Sequence, residues 1–101
     1  MELQIHFDKH GYKFGLMPGQ EDEYERMADD FLFGEMVGTM RECFRPNGVD
    51  RLRFCFLREF FGVACVMPEY IRTFYPPEND TLAQHGGRAP FFSYECARMA
   101  A

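Results

Sequence analysis

The segment LRFCFLREFFGVACVMPEYIRTFY, residues 52–75, is the part of the sequence most informative about the fold. It contains three segments rich in Phe, Val, Ile and Tyr, the side chains that favour β-strands, at 52–57, 60–67 and 70–75. Only two-residue breaks, at 58–59 and 68–69, separate these segments. Such short links join antiparallel neighbours, so the stretch predicts three consecutive strands of an antiparallel meander.

The sequence on either side adds further strands to this meander. Residues 40–45 precede a Pro-Asn-Gly turn signal at 46–48, which predicts a strand before the stretch. The Pro-Pro pair at 76–77 ends the last strand of the stretch. After a loop with two glycines, residues 91–96 are expected to form one more strand. The predicted sheet therefore has four or five strands.

Two helices are predicted before the sheet. Residues 20–33 carry apolar side chains at helical spacing, with acidic residues in the first turn and Gly34 as the expected end. Residues 3–10 are ambiguous, because their apolar residues alternate as in a strand while the basic residues at 6, 9, 10 and 13 share one helix face. A short helix that ends at Gly11 is favoured. The prediction is an α+β fold, with N-terminal helices packed on an antiparallel four- to five-stranded meander sheet.

Length and composition predict one domain over residues 1–101. Of these residues 47% are hydrophobic and 17% aromatic, enough to build one core. The longest segment without a charged residue, 60–68, is far shorter than the roughly 20 residues that span a bilayer. No secretory signal opens the sequence, so a cytoplasmic location and no membrane partner are expected.

The four cysteines are expected to be reduced. No two of them have CxxC spacing, and no pair of histidines stands at zinc-finger distance from them. Without an export signal a disulfide framework is not expected, and most of the cysteines lie in apolar segments, where a free thiol behaves as a small hydrophobic group. They are Cys43, Cys55, Cys65 and Cys96. No metal site and no cofactor are predicted.

The net charge of −5 is unevenly distributed. Residues 20–35 hold seven acidic residues and one arginine, whereas residues 41–72 hold six arginines and four acidic residues. Arginine binds phosphate through a rigid fork of donors. Two interpretations remain open: ordinary solvated surfaces, or a phosphate-binding sheet face with the acidic helix on the far side.

Two short clusters carry residue types suited to acid–base chemistry on phosphate. IHFDKHGYKFG, residues 5–15, contains two histidines, the usual general acids or bases near neutral pH, and two lysines. The second cluster is the segment 72–75, RTFY, in a predicted strand. Strand alternation predicts Arg72 and Phe74 on one face, with Thr73 and Tyr75 on the other. Each cluster on its own is equally typical of surface residues or sheet packing.

Taken in order, these segments resemble the colicin D-type nuclease domain and its bacterial toxin relatives. HFDKHGYKFGL, followed by EYERMADDF, is similar to the start of that domain. RPNGVDRLRF, FFGVACV and YIRTFYPP are similar to its strand meander. The resemblance covers residues 3–77 and leaves 78–101 as a C-terminal extension. It implies membership of the barnase/EndoU/colicin/RelE-like ribonuclease superfamily.

The resemblance implies a metal-independent RNA endonuclease, a toxin or toxin derivative, that promotes attack of the ribose 2′-hydroxyl on the adjacent phosphate. The implied partners are RNA, with tRNA or another structured RNA as the target, and a cognate immunity or antitoxin protein. The implied catalytic residues, in acid–base, phosphate-binding or base-orienting roles, are His10, His6, Arg72, Thr73 and Tyr75. The implied phosphate and RNA contacts are Lys9, Lys13, Arg45 and Arg51.

A non-catalytic protein-interaction domain with the same fold is the alternative hypothesis. In that case the acidic helix or the C-terminal strand would bind a protein partner. The two hypotheses differ in geometry, because an enzyme needs His10 or His6 to converge with Arg72 and Thr73 in one cleft. It also needs the acidic helix to face away from that cleft.

Overall fold

The computed structural model describes residues 1–99, in which a four-stranded sheet lies between two pairs of helices. The elements in chain order are α1 (Leu3–His10), a 3₁₀ turn (Gly11–Phe14), α2 (Glu21–Phe33), β1 (Met40–Phe44), β2 (Asp50–Cys55), β3 (Phe60–Val66), β4 (Glu69–Tyr75), α3 (Asn79–Gln84) and α4 (Arg88–Ala97). The strands pair antiparallel in the order β1-β2-β3-β4. The predicted α+β class and antiparallel meander are confirmed. The last two residues of the predicted extension, 100 and 101, lie outside the described residues.

Helices α1 and α2 cover one face of the sheet with an aromatic core. Phe74 of β4 stacks on Phe14 with ring centroids 4.7 Å apart. Tyr24 of α2 is fully buried and donates its hydroxyl to the Phe74 carbonyl oxygen. At Gly62 of β3, a Cβ atom would lie 2.9 Å from the Leu32 side chain, so glycine permits α2 to pack this closely. The predicted N-terminal helices therefore rest on the sheet as expected.

Helices α3 and α4 cover the other face, and the prediction of a strand at 91–96 is wrong. Pro90 stands in the first turn of α4, where its missing N–H costs no helical hydrogen bond. Phe91 and Phe92 are buried, and both rings lie 6.0 Å from that of Phe54 on β2. A short apolar segment fits either a strand or a helix. Here the uncovered second face of the sheet selects a helix that can bury both rings.

The prediction of four reduced cysteines is wrong for one pair. Cys43 of β1 and Cys96 of α4 form a disulfide, with the Sγ atoms 2.09 Å apart. Cys55 and Cys65 are free and buried. The bonded cysteines are 53 residues apart in sequence, so no spacing rule could pair them, and the fold brings their Cα atoms to 6.1 Å. The bridge links strand β1 to helix α4.

A β-bulge in β4 changes the directions of its side chains. The pairing register of β3 with β4 shifts between Val63 and Ala64, which leaves Arg72 as the extra residue of the bulge. The predicted alternation, with Arg72 on the face of Phe74, is therefore wrong. Arg72 reaches to the α3/α4 side of the sheet, where its Nε donates to Asp50 Oδ1 at 2.7 Å.

Candidate functional site

His10, the last residue of α1, lies against Tyr75, the last residue of β4. Their rings stack with centroids 4.9 Å apart and planes inclined by 21°. Phe7 of α1 is buried in the core, and a Cβ atom at Gly11 would lie 2.6 Å from its ring. Glycine at position 11 therefore lets the chain turn tightly over Phe7, which holds the preceding His10 at the end of β4.

Positive charge surrounds His10. Lys13 Nζ lies 3.3 Å from His10 Nδ1, and Glu78 Oε1 lies 3.4 Å from the same Nζ. The ring of His6 is 6.1 Å away, centroid to centroid. Burial lowers the pKa of His10 to about 4, and nearby positive charges, led by Lys13, add to this effect. His10 is therefore neutral at pH 7 and can accept a proton.

His6 extends this cluster along α1. Burial lowers its pKa, and the charges of the N-terminal amine and Lys9 lower it further. Its Nδ1 atom is buried and has no hydrogen-bond partner within residues 1–99. Lys9 itself is exposed and acts on the two histidines through its charge. Both predicted histidines thus lie together, and both favour the neutral form.

Tyr75 connects the histidines to a second group of charges. Its ring packs edge-on against Phe61 at 5.5 Å, while His10 covers another side. Burial raises the pKa of Tyr75 to about 12, with the Glu95 carboxylate adding to the effect. The hydroxyl therefore keeps its proton at neutral pH. Thr73 shares this face of the sheet, because its pairing partner Val63 belongs to the same core.

An alternating chain of five charged side chains runs along the α3/α4 face. This ionic chain consists of Arg72, Asp50, Arg45, Glu95 and Arg98. Asp50 contacts Arg72 through Oδ1, and its Oδ2 lies 3.8 Å from Arg45 Nη1. Glu95 Oε1 then lies 2.9 Å from Arg45 Nη2 and 3.5 Å from Arg98 Nη1. Since three arginines face two carboxylates, one positive charge is left over.

The exposed ends of the ionic chain are both arginines. The side chains of Arg72 and Arg98 are 46% and 56% exposed, whereas that of Arg45 is only 10% exposed. Within residues 1–99, Arg72 donates a side-chain hydrogen bond only through Nε, so its two Nη groups are available to another acceptor. The chain therefore presents two anchored guanidinium groups that can meet an anion.

Asp50 is the buried centre of the ionic chain. Burial by itself raises the pKa of Asp50, but hydrogen bonds from Arg72 and Asn47 and the charges of Arg72 and Arg45 outweigh it. The pKa is therefore lowered, and Asp50 stays ionised. Sequence reasoning missed Asp50, although an acidic residue two positions after the Pro-Asn-Gly turn and among arginines was an available signal. It also missed Glu95, because 91–96 was expected to be a strand, and Arg98, which follows that segment.

Arg51, one of the predicted phosphate contacts, is not brought to this site. It lies on the α1/α2 face, where its Nη2 donates to the Leu32 carbonyl oxygen. Its neighbour Arg53 donates through Nη1 to the carbonyl oxygens of Phe31 at 3.1 Å and Gly34 at 2.7 Å. These oxygens belong to the C-terminal end of α2, where helix carbonyls lack intrahelical partners. Both arginines therefore stabilise that end of the helix.

The acidic helix α2 lies on the opposite face of the sheet from Thr73 and Tyr75. Its buried residues Ala28 and Leu32 pack with Phe74, in the core that α1 also joins. The site thus has two parts. The histidine cluster contains His10, His6, Lys13 and Tyr75, and the ionic chain contains Arg72 and Arg45. Tyr75 links these two parts, because the charges of Glu95, Arg98 and Arg45, after burial, have the largest effects on its pKa.

Comparison with known proteins finds no matching family model, no significantly similar curated protein and no significantly similar solved structure. Residues 1–99 contain no group of three or more His, Cys, Asp or Glu side chains that could hold a metal ion. In the same part of the chain, every helix is too short or too polar to cross a membrane. The function must therefore be argued from the site itself.

Proposed function

We propose that the chain is a metal-independent RNA endonuclease that acts through His10 and Tyr75. One observation carries the proposal: a neutral histidine stacks on a protonated tyrosine, with Lys13 beside the histidine and the charges of Glu95, Arg98 and Arg45, all members of the ionic chain, acting on the tyrosine. The resemblance of the sequence to colicin D-type nucleases supports the same assignment. The position of the acidic helix, on the other face of the sheet, removes a source of repulsion for RNA.

The proposed reaction begins at the ribose 2′-hydroxyl. In the RNA-free chain Lys13 can donate to His10 Nδ1, and a phosphate that attracts Lys13 frees this nitrogen to accept the hydroxyl proton. The 2′-oxygen then forms a bond to phosphorus, and charge grows on the non-bridging oxygens. Lys13 and Arg72 are the cations that would stabilise this charge.

The reaction is completed by loss of the 5′-oxygen. As the bond from phosphorus to this oxygen breaks, the Tyr75 hydroxyl donates a proton to it, and the protonated His10 restores the proton to Tyr75. The products are a 2′,3′-cyclic phosphate and a free 5′-hydroxyl. A bound phosphate also raises the pKa of His10 through its negative charge, which makes His10 a stronger base than it is in the free chain.

The test is cleavage of a tRNA and structured-RNA panel by the purified chain in EDTA. We expect fragments that end in a cyclic phosphate. His10→Ala should slow cleavage by about 100-fold or more, the range that a general base contributes. His85→Ala is the matched control, because His85 packs between Phe91 and Tyr94 and not on Tyr75. A folded chain that leaves all RNAs intact, or equal rates for the two variants, would contradict the proposal.

A non-catalytic interaction domain is the second candidate. The observation that favours it is the open outer edge of β1, described below. This candidate predicts that His10→Ala changes nothing in cells or in RNA assays, while substitutions along β1 abolish binding of a protein partner. The two functions can therefore be separated with substitutions at opposite edges of one sheet.

A further inference from the structure

The two edges of the sheet differ in what covers them. At the β4 edge, helix α1 packs beside the strand, and the Tyr24 hydroxyl donates to the Phe74 carbonyl oxygen. The outer side of β1 has no comparable cover within residues 1–99. An uncovered edge strand is a template on which another strand can pair.

The hydrogen-bond pattern of β1 shows which backbone groups are unpaired. The Arg45 amide donates to the Asp50 carbonyl oxygen at 2.9 Å. Because bonded and non-bonded positions alternate in an antiparallel pair, alternate residues counted back from Arg45 bond to β2. Glu42 and Phe44, between those positions, direct their N–H and C=O groups outward. These groups find no partner in the described part of the chain.

An apolar groove of about 440 Å³ opens beside the start of β1, on the side of α2. Val37 and Leu57 line the groove and are 56% and 74% exposed. Phe44, farther along the same side of β1, is 50% exposed. Large apolar side chains gathered on one uncovered edge indicate an interaction surface.

A second copy of this chain is a poor occupant of that surface. Two β1 strands can pair antiparallel through their outward N–H and C=O groups in three registers that overlap the middle of the strand. These put Arg41 opposite Arg41, Glu42 opposite Glu42, or Arg41 opposite Arg45. Like charges directly opposite one another destabilise a strand pair. The symmetric dimer is therefore disfavoured in each register, and a strand of different sequence fits better.

We propose that the outer edge of β1 binds an extended segment of another polypeptide, which adds a fifth antiparallel strand. On the α2 side of this strand, apolar residues lie beside Phe44 and over the groove at Met40. On the other side an acidic residue lies opposite Arg41. The Arg41 guanidinium rests on the Phe56 ring at 4.9 Å and has no carboxylate partner within residues 1–99. Glu42 already has two arginine partners, Arg51 and Arg53, and needs none.

This surface lies at the opposite edge of the sheet from Tyr75. Its occupancy therefore does not depend on the proposed RNA cleavage, and either proposal can fail without the other. The partner that fits this surface is a polypeptide segment in strand conformation, apolar at alternate positions, with one acidic residue at a defined register.

A short peptide tests the inference on the full chain. The probe is fluorescein-labelled Val-Thr-Gln-Glu-Leu-Thr-Leu, in which Glu lies opposite Arg41 when the first Val lies opposite Phe44. We expect saturable binding in fluorescence anisotropy. Replacing this Glu by Lys in the peptide should weaken binding at least tenfold. Arg41→Glu in the chain should reverse the preference, so that the Lys peptide binds more tightly.

Matched substitutions in the chain locate the site. Leu57→Asp should weaken peptide binding at least tenfold, whereas Met67→Asp, at another turn and 78% exposed, should not change it. Phe44→Pro removes an outward N–H without removing a bond to β2, so it should weaken binding more than Phe44→Ala does. Circular dichroism confirms that each variant is folded.

Three outcomes would overturn the inference. They are the absence of saturable binding by the folded chain up to about 1 mM peptide, equal effects of Leu57→Asp and Met67→Asp, and a concentration-dependent dimer that Leu57→Asp abolishes. The last outcome would identify a second copy as the occupant. RNA cleavage by the Leu57→Asp variant should equal that of the wild type, which keeps this test separate from the test of the nuclease.

Discussion

The two faces of the sheet use arginine in opposite ways. On the α1/α2 face, the Arg51 and Arg53 side chains are only 18% and 7% exposed, and they bind helix carbonyls and Glu42. On the α3/α4 face, Arg72 rests on buried Asp50 with almost half of its side chain exposed. All these residues fall in one arginine-rich segment. The number of arginines does not distinguish the two faces. The face to which an arginine points decides whether it stabilises a helix end or contributes to a surface that can bind an anion.

The largest expected effect concerns what holds the α3/α4 face together. Closing a loop of 53 residues predicts that the Cys43–Cys96 bridge stabilises the fold by about 4 kcal/mol. The double variant Cys43→Ser/Cys96→Ser should lose that free energy of unfolding in urea titrations. Adding dithiothreitol should destabilise the wild type equally and leave the double variant unchanged. If the double variant were as stable as the wild type, packing and polar contacts would be sufficient to hold α4, as they are for α2.

Two arginine substitutions test the difference between the α1/α2 face and the α3/α4 face of the sheet. Arg53→Gln should cost about 2 kcal/mol of stability, because it leaves buried carbonyl oxygens and Glu42 with fewer donors, and RNA affinity should not change. Arg98→Gln should cost less than about 1 kcal/mol, because Arg98 is half exposed and Glu95 keeps Arg45. It should weaken RNA binding, measured by filter binding at fixed salt, severalfold. If Arg53→Gln weakened RNA binding and Arg98→Gln did not, the proposed difference in function between the two faces would be wrong.

A pH dependence of stability is expected on the side of the histidines. The unfolded chain binds a proton at His10 with a pKa near 6.5, and the folded chain does so only near 4. Between these values the unfolded state holds more protons, so stability falls as the pH is lowered from 6.5 towards 4. His10→Gln should flatten this slope in thermal melts, while His85→Gln should leave it as in the wild type. An unchanged slope in His10→Gln would show that His10 is accessible to solvent in the folded chain.

Local patterns were sufficient for most of the fold. The four strands of the meander and both N-terminal helices were predicted, with ends within about two residues, because strand-favouring segments and tight turns act over short distances. The prediction of a strand at 91–96 was wrong because contacts distant in sequence select the structure of this segment. It has no strong period of its own, and the open face of the sheet, which no local pattern reveals, selects a helix.

The site was predictable only in part. Pattern and resemblance singled out His10 and Tyr75, which the structure brings into contact. The charge pattern left two interpretations open, and only one of them placed the acidic helix on the far side of the sheet. The bulge at Arg72 was not predictable, since one extra residue in β4 changes the face of its side chain without any mark in the sequence. The contact of Arg72 with buried Asp50, 22 residues away in sequence, depends on that bulge and was equally unpredictable.

Local sequence patterns are enough to predict the first two helices, the four strands and the residue types available for chemistry. Hydrophobic period, turn residues and charge are properties of neighbouring residues, so they can be read along the chain. Long-range contacts determine that Cys43 bonds to Cys96, that Arg51 holds a helix end while Arg72 faces outward, and that β1 is the open edge. Each of these depends on contacts between segments distant along the chain, and packing of the whole core selects them.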